Sequence, residues 1–262
     1  METIFFGDAA ASSGAKPPLL FLHGSYCGAW VWERHFLPFF AEAGFHGAAI
    51  SLRAHGKSPG RPVDLHGISD YLKDIEAGAN LFDTPPALIG HSLGGYLAQK
   101  YALRRPVAAL VLLASPSLHG LWPAGWHIAS KNPRLAFELW RLMMLGPRSV
   151  NPEVIAAALF SRDMPVFDML RMLPLLQRES FRVSIEASFP DFSWPPRSLP
   201  PTLVVGSADD AFVPPDDLKR ASSFWRGRLH LVDGLPHGAM MDSTSWPRAA
   251  RPIKAWLEDL SG

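Results

Sequence analysis

A chain of 262 residues is long enough for one large domain or for one domain with an insertion, and its 48% hydrophobic content can fill a sizeable core, which excludes a disordered or fibrous protein. The 25 Lys and Arg residues nearly balance the 24 Asp and Glu residues, and no basic run is present, so a nucleic-acid partner is not expected. We expect a small, roughly neutral partner instead.

The first eight residues lack the basic start and the apolar stretch of a signal peptide. No run in the sequence approaches the ~18 apolar residues that would span a bilayer. These features predict a cytoplasmic protein without a membrane span. The single cysteine, Cys27, cannot form an internal disulfide, and we interpret it as a small apolar filler because nothing near it indicates a reactive thiolate. The ten histidines show no closely spaced metal-binding pattern, so no metal is required.

Short apolar runs rich in β-forming residues alternate with stretches of helical spacing along the chain. This alternation predicts an α/β fold with a mostly parallel, doubly wound sheet that helices cover on both faces. In chain order, the predicted strands are residues 18–22, 47–52, 87–90, 107–114, 202–206 and 229–232. The predicted covering helices are residues 29–40, 68–81, 93–104, 215–224 and 245–260.

Residues 117–196 break this alternation, because they show helical apolar spacing but no convincing strand. We interpret them as an inserted helical cap between two parts of one core, residues 1–116 and 197–262. Most of the Trp and Met side chains of the cap are expected to form its own core, although some could form an apolar roof over a site. These side chains are Trp122, Trp126, Trp140, Met143, Met144, Met164, Met169 and Met172.

Residues 90–94 read Gly-His-Ser-Leu-Gly and fit the pattern G-x-S-x-G between a predicted strand and a predicted helix. In that setting Gly90 and Gly94 leave room for a sharp turn that presents Ser92 as a nucleophile at the carboxyl edge of the sheet. The alternative is an ordinary strand-helix turn in which Ser92 caps the helix. His91 is adjacent to Ser92 on the turn and is expected to pack or hydrogen-bond elsewhere rather than act as the base.

Two later strands end in titratable groups that should lie at the same edge of the sheet. His237 follows the last predicted strand and is the candidate general base, because its ordinary pKa lies near neutrality. The acid that orients it is either Asp209 or Asp210, which are adjacent after residues 202–206. Spacing from Gly206 favours Asp209 and spacing from Pro214 favours Asp210; we prefer Asp210.

Acyl transfer also needs two hydrogen-bond donors for the tetrahedral oxyanion, each worth ~3 kcal/mol of transition-state stabilisation. The backbone N–H of Leu93, at the start of the helix after Ser92, can supply one. The second is expected from the loop after the first predicted strand, where Gly24 allows close approach and Ser25 N–H is our candidate. Taken alone, this loop could equally be a glycine-containing turn.

With these motifs in order, the chain resembles the α/β-hydrolase superfamily over nearly its whole length except the cap. The resemblance implies an esterase, lipase or related acyl hydrolase without a cofactor, similar to the capped carboxylesterase-like and lysophospholipase-like proteins. The Arg53-Ala54-His55-Gly56 turn departs from the commoner R-G-H-G form, which should affect loop geometry rather than chemistry. The matching runs are residues 22–24 with 28–30, 53–58, 90–94, 210–214 and 236–237.

Several activities are compatible with this resemblance. A serine at position 92 argues against dehalogenases and epoxide hydrolases, which use aspartate there. Hydroxynitrile lyases, cofactor-free haloperoxidases or perhydrolases, carbon-carbon bond hydrolases and acyltransferases can all keep a serine. A non-catalytic ligand-binding module is the alternative from another class, since fold does not fix function. We expect hydrolysis of a small, apolar carboxylic ester or related acyl bond through an acyl-enzyme on Ser92.

Overall fold

A computed structural model describes residues 1–8 and 16–260 of the chain. Its strands are β1 (Glu2–Phe6), β2 (Leu19–Leu22), β3 (Gly47–Ser51), β4 (Ala87–His91), β5 (Ala109–Leu113), β6 (Thr202–Gly206) and β7 (Arg228–Leu231). They form one sheet in the order β1-β3-β2-β4-β5-β6-β7. Strand β1 pairs antiparallel with β3, and the other pairs in the sheet are parallel. The predicted fold class is therefore confirmed.

The six predicted strands all form, with ends within two residues of the predicted ones. Strands β2 to β6 are buried along their whole length, which is why each appears in the sequence as a continuous apolar run. Strand β1 was not predicted. It lies at the edge of the sheet and is only partly buried, so its apolar pattern is short and weak, although residues 3–6 are β-forming types.

Helices cover the sheet on both faces. The helices are α1 (Trp30–Glu33), α2 (Phe36–Glu42), α3 (Ile68–Ala79), α4 (Leu93–Ala102), α5 (Trp122–Lys131), α6 (Pro133–Leu145), α7 (Pro152–Leu159), α8 (Val166–Met172), α9 (Phe181–Ser188), α10 (Pro215–Trp225) and α11 (Trp246–Asp259). Helices α1, α2 and α11 pack in one apolar cluster with Phe21 of β2. Helices α3, α4 and α10 pack in a second cluster with Leu20 and Leu22, because successive strand residues face opposite sides of the sheet.

The predicted helix over residues 29–40 is wrong, because the structure divides it into α1 and α2. Pro38 explains the break. In a continuous helix its ring would clash with the carbonyl of Arg34, four residues earlier, and it has no N–H to donate. His35, between the two helices, accordingly has non-helical angles of φ −126° and ψ −53°.

Residues 117–196 contain helices α5 to α9 and, along this fully described range, no strand. Ile128, Leu135 and Ile155 are the buried centre of a small apolar cluster, against which Phe212 of the loop after β6 also packs. The interpretation of this helical segment as a separate cap stays a prediction. The expectation that its Trp side chains form a core is wrong. Trp122, Trp126 and Trp140 are 70%, 69% and 50% exposed, because no element among the described residues covers them.

The cap methionines differ among themselves. Met164 is buried, and Met169 and Met172 pack against the core cluster, whereas Met144 is exposed. Within the described residues, no helix has both the length and the apolar character needed to cross a bilayer. In the same part of the chain, no group of three or more His, Cys, Asp or Glu side chains is arranged to hold a metal ion.

Candidate active site

Ser92 lies on a strained turn between the end of β4 and the start of α4. Its backbone angles are φ 50° and ψ −121°, a region that residues other than glycine rarely adopt. Its N–H donates to Leu113 O at 3.0 Å, and its carbonyl accepts from the N–H groups of Gly95 and Tyr96. Neighbouring residues are buried, but Ser92 itself is only partly buried. The turn is thus held from both sides while the side chain stays accessible.

The flanking glycines are required by contacts with the backbone. A β-carbon added to Gly90 would lie 2.5 Å from Gly95 Cα, and one added to Gly94 would lie 2.4 Å from His23 O. Neither distance is possible without moving the main chain. The G-x-S-x-G pattern therefore follows from steric constraints, and Gly94 also packs the start of α4 against the end of β2.

The loop after β2 passes directly beside Ser92. A β-carbon on Gly24 would lie 3.1 Å from Ser92 Cβ, so only glycine fits there easily. His23 fixes this loop: its Nδ1–H donates to Gly24 O at 2.8 Å and its Nε2 accepts from Leu52 N–H at 3.0 Å. Burial, with a contribution from neighbouring His55, lowers the pKa of His23 to about 3, so it stays neutral. Sequence reasoning missed this role, although His23 directly precedes Gly24.

Ser25 follows Gly24 in this loop and is partly buried, and Leu93 is the first residue of α4. The N–H groups in the first turn of a helix have no acceptor within the helix. Both predicted oxyanion donors are therefore on segments that flank Ser92. Cys27, farther along the loop, is buried, and burial raises the pKa of its thiol to about 12, which agrees with its interpretation as a packing residue.

His237 and Asp210 are in direct contact. Nδ1–H of His237 donates to the Asp210 carboxylate, at 2.9 Å from Oδ2 and 3.1 Å from Oδ1. Both side chains are buried. A carboxylate in this position favours the tautomer of His237 with its proton on Nδ1 and its lone pair on Nε2, because an ionised carboxylate can only accept. Asp210 Oδ1 also accepts from the N–H groups of Phe212 and Val213, and the Phe212 ring lies 4.4 Å from the His237 ring.

Asp209 has a different environment from Asp210. It is exposed, and its Oδ2 accepts from Gly234 N–H at 3.2 Å, which ties the loop after β6 to the loop after β7. Its own N–H donates to Ser207 Oγ at 3.1 Å. These bonds are typical of a turn-forming aspartate. Of the two adjacent acids, the structure brings Asp210 to His237.

His91 contacts His237 through a hydrogen bond and through its ring, as expected for a residue that does not act as the base. Its Nε2–H donates to the backbone carbonyl of His237 at 2.9 Å, and the two rings lie 4.8 Å apart. Burial, together with nearby His237, lowers the pKa of His91 well below its ordinary value of 6.5, so the ring stays neutral. His91 thereby positions the loop that carries the candidate base.

The helical segment is bonded to the loops around the site. Gln177 N–H donates to Tyr26 O at 2.8 Å, next to Ser25. Gly238 N–H donates to Leu159 O at 2.7 Å, next to His237, and Ser161 N–H donates to Asp242 Oδ2 at 2.7 Å. The segment therefore contacts both the candidate oxyanion loop and the candidate base loop.

A buried ion pair joins the same segment to the loop after β3. His55 Nε2 lies 3.5 Å from Glu179 Oε2, and both side chains are almost fully buried. Glu179 Oε1 accepts from Tyr71 Oη–H and from Ser180 N–H, each at 2.7 Å. Ala54, beside His55, has a φ of 64°, which explains why glycine is the commoner residue at this position of the turn.

The pKa values of the pair move in opposite directions. Burial alone would lower the pKa of His55, but the adjacent Glu179 carboxylate raises it above its ordinary 6.5. Burial alone would raise the pKa of Glu179, but the charge of His55 lowers it below its ordinary 4.5. The pair is therefore charged on both sides between these ordinary values.

We expect Glu179→Gln to lower the free energy of unfolding by about 3 kcal/mol, because it leaves His55 buried without its counter-charge. The contribution of Glu179 to the free energy of unfolding is present above pH 4.5, and it is lost as the pH falls through the lowered pKa of Glu179 in the folded state. The His55 contribution is present below pH 6.5 and is lost as the pH rises through its raised folded pKa. Urea unfolding from pH 3 to 9 measures this, and the variant should give a flatter stability profile.

The control is Glu153→Gln, since Glu153 is exposed at the start of α7 and should have little effect. Equal unfolding midpoints for the two variants at pH 5.5 would contradict the expected role of the pair.

Comparison with known proteins agrees with this architecture. Residues 19–250 match the model of the alpha/beta hydrolase family. Polyneuridine aldehyde esterase of Rauvolfia serpentina is 33% identical over 89 residues, a match that spans 33% of each chain. Non-heme chloroperoxidase CPO-A1 of Kitasatospora aureofaciens is 27% identical over 249 residues, with 87% of each chain covered.

A similar solved structure is the monoacylglycerol lipase of Paleococcus ferrophilus, with a TM-score of 0.69, 20% identity, and 99% and 100% of the two chains covered. At that identity the likeness shows the fold alone. The family match spans most of the chain, and the five predicted site residues all lie inside it. The chain belongs to the alpha/beta hydrolase family.

Proposed function

We propose that the protein is a serine hydrolase that cleaves a carboxylic ester, or a related acyl bond, through an acyl-enzyme on Ser92. The observation that carries the proposal is the hydrogen-bonded pair of His237 and Asp210, buried at the sheet edge where Ser92 lies on its strained turn. A histidine whose Nδ1 proton is held by a carboxylate presents Nε2 as a base. The esterase and lipase relatives of the chain support an acyl substrate.

In the proposed reaction, Ser92 Oγ attacks the ester carbonyl while Nε2 of His237 takes the serine proton. Asp210 stabilises the imidazolium that results. The N–H groups of Leu93 and Ser25 donate hydrogen bonds to the tetrahedral oxyanion and so stabilise its charge. When the intermediate collapses, His237 gives the proton to the departing alkoxide, and an alcohol leaves.

The second half repeats these steps with water. His237 removes a proton from the water molecule, whose oxygen attacks the acyl carbonyl. The bond to Ser92 Oγ then breaks, Oγ recovers the proton from His237, and the carboxylic acid leaves. We propose that residues 117–196 act as a cap, since the segment contacts the loops of both Ser25 and His237 and would exclude bulk water from the acyl-enzyme.

A fluorophosphonate probe tests the proposal directly, because it forms a stable bond only with an activated serine. We expect stoichiometric labelling of the native protein, with the added mass on the peptide that contains Ser92. Ser92→Ala should remove labelling, whereas Ser130→Ala, at an exposed serine of α5, should keep it. A native protein that stays unlabelled while folded would instead favour a ligand-binding module and overturn the proposal.

The match to a chloroperoxidase over 87% of the chain favours perhydrolysis as a second candidate on the same residues. Here hydrogen peroxide replaces water, its oxygen attacks the acyl carbonyl, and a peracid leaves as Ser92 Oγ recovers its proton. Release of carboxylic acid and of peracid from one ester, measured with and without peroxide, separates the two activities. Peracid release faster than acid release would make perhydrolysis the main reaction.

A further inference from the structure

A cavity of about 1180 Å³ opens between the helical segment and the core. The residues that line it come from two stretches of the segment, within residues 145–152 and 173–178, and from the loop after β3, at positions 54 and 61–64. This volume is slightly above the roughly 300–1,000 Å³ that is typical of small-molecule binding sites. None of the predicted catalytic side chains lines it.

The lining of this cavity has more positively than negatively charged side chains. Arg61, Arg148 and Arg178 line it, with Asp64 as the only acidic residue of the lining. Arg178 Nη2 lies 3.9 Å from Asp64 Oδ2, at the limit of an ion pair, and both side chains are about half exposed. Within residues 1–8 and 16–260, Arg61 and Arg148 form no ion pair and no hydrogen bond through their guanidinium groups. At least two positive charges of the lining, both on exposed residues, therefore have no counter-ion in the described chain.

The rest of the lining is mostly apolar. It includes Leu145, Val150, Leu173 and Leu176, together with several prolines. A ligand that matches both parts of the cavity has an apolar stem and an anionic oxygen group. Guanidinium groups suit carboxylate and phosphate especially well, because their planar N–H pairs match two oxygens at once.

Two parts of the cavity wall are connected to the proposed catalytic loops. Gln177 lines it, and the N–H of Gln177 donates to Tyr26 O, one residue from Ser25. The Gln177 side chain accepts from Gly56 N–H at 2.6 Å, which fixes this wall. Leu173 and Leu176 belong to one apolar cluster with Phe212, whose ring packs on His237. Residues of the cavity wall thus contact the Ser25 loop and share an apolar cluster with the Asp210 loop, whose Phe212 packs on His237.

We propose that this cavity binds the anionic end, carboxylate or phosphate, of an amphiphilic ester whose carbonyl is attacked at Ser92. The proposal rests on the proposed ester hydrolysis for the reaction, but the anion site itself does not depend on it. Arg61 and Arg148 are specificity residues in this view. They would act on substrate affinity rather than on the chemical step, because they contact a part of the substrate remote from the carbonyl.

The test compares anionic and neutral esters of equal length. One pair is the p-nitrophenyl monoester of sebacic acid, with a free terminal carboxylate, against p-nitrophenyl decanoate. The other pair is 1-decanoylglycerol 3-phosphate against 1-decanoylglycerol, and the arm with the larger effect identifies the anion. The variants are Arg61→Met and Arg148→Met, which keep much of the apolar length. Arg134→Met, at an exposed arginine of α6 outside the cavity, is the control.

We expect Arg148→Met to raise KM for one anionic ester about tenfold, with kcat and all constants for its neutral partner unchanged. Arg148→Lys should recover part of this loss, and 0.5 M salt should reduce the difference between the esters. If neither cavity variant changes the ratio of kcat/KM for anionic and neutral esters, the proposal is wrong. Equal effects of Arg134→Met would also overturn it.

Calorimetric titration with decyl phosphate and decanoate, below their micelle concentrations, separates the two proposals. If Arg148→Met weakens the binding of either anion and Arg134→Met does not, the anion site is supported even when no ester is hydrolysed. Hydrolysis of neutral esters without anion binding would support the proposed function and overturn the anion site.

Discussion

Replacing Ser92 by alanine should lower kcat for p-nitrophenyl butyrate by a factor on the order of 10⁵ to 10⁶, because no other group then attacks the carbonyl. The substitution removes one oxygen from a partly buried side chain and keeps the backbone contacts of the turn. KM should change little, since the substrate pocket is intact. Steady-state hydrolysis with purified variants, at enzyme concentrations high enough to detect the residual rate, measures the effect.

Because Ser92 lies on a strained turn, the stability of the Ser92→Ala variant is measured as a control. Alanine at a φ of 50° bears the same backbone strain as serine, so the unfolding midpoint of Ser92→Ala should stay close to that of the native protein. A folded variant that keeps a tenth or more of native kcat would exclude Ser92 as the nucleophile.

The second large effect is expected at Asp210. Asp210→Asn should lower kcat by about 10⁴-fold, because the amide cannot hold the proton on Nδ1 of His237 as a carboxylate does, and the ring then presents the wrong tautomer. Asp209→Asn should reduce kcat by less than about threefold, since Asp209 bonds only a turn next to the site. The two variants are matched in chemistry and sequence position.

Kinetics of both variants over pH 5 to 9 distinguish a catalytic from a structural effect. A structural loss in Asp210→Asn would appear as a lower unfolding midpoint with a pH profile of native shape. A larger loss in Asp209→Asn would instead assign the orienting acid to Asp209. Small and equal losses in the two variants would refute both assignments.

Much of the fold could be predicted from local patterns. Strands β2 to β6 are buried on both faces, so their sequences are short, continuous apolar runs that differ clearly from the helices between them. Strand β1 lacks this property because it lies at an edge. The break between α1 and α2 was also predictable, since Pro38 excludes a continuous helix through Arg34.

The site shows where sequence reasoning stops. The pattern around Ser92 is local, because the glycines and the serine interact within one turn and its neighbouring strand. Spacing did not distinguish Asp209 from Asp210, because the difference between them is the burial of one side chain against His237. Likewise, the pairing of His55 with Glu179 depends on packing between segments far apart in the chain.

The exposed tryptophans illustrate a related difficulty. Helix α5, which carries Trp122 and Trp126, has the apolar composition expected of a packed helix. A sequence does not show, however, whether a second element covers a particular face of that helix. For α5 and α6, no element of the described chain does so at these positions. Only the three-dimensional arrangement reveals that these side chains face outward.

The bonds from the helical segment to Tyr26 and Gly238 have a consequence for substrate entry. A cap that is connected to the core only at its two ends could move away without changing the positions of the catalytic residues. Here, a movement that separates Leu159 from Gly238, or Gln177 from Tyr26, would release the same loops that carry the proposed base and oxyanion donor. The conformation that admits substrate would then differ from the conformation that can react. The rate of turnover would be limited by how quickly the two loops form these hydrogen bonds again after each substrate enters.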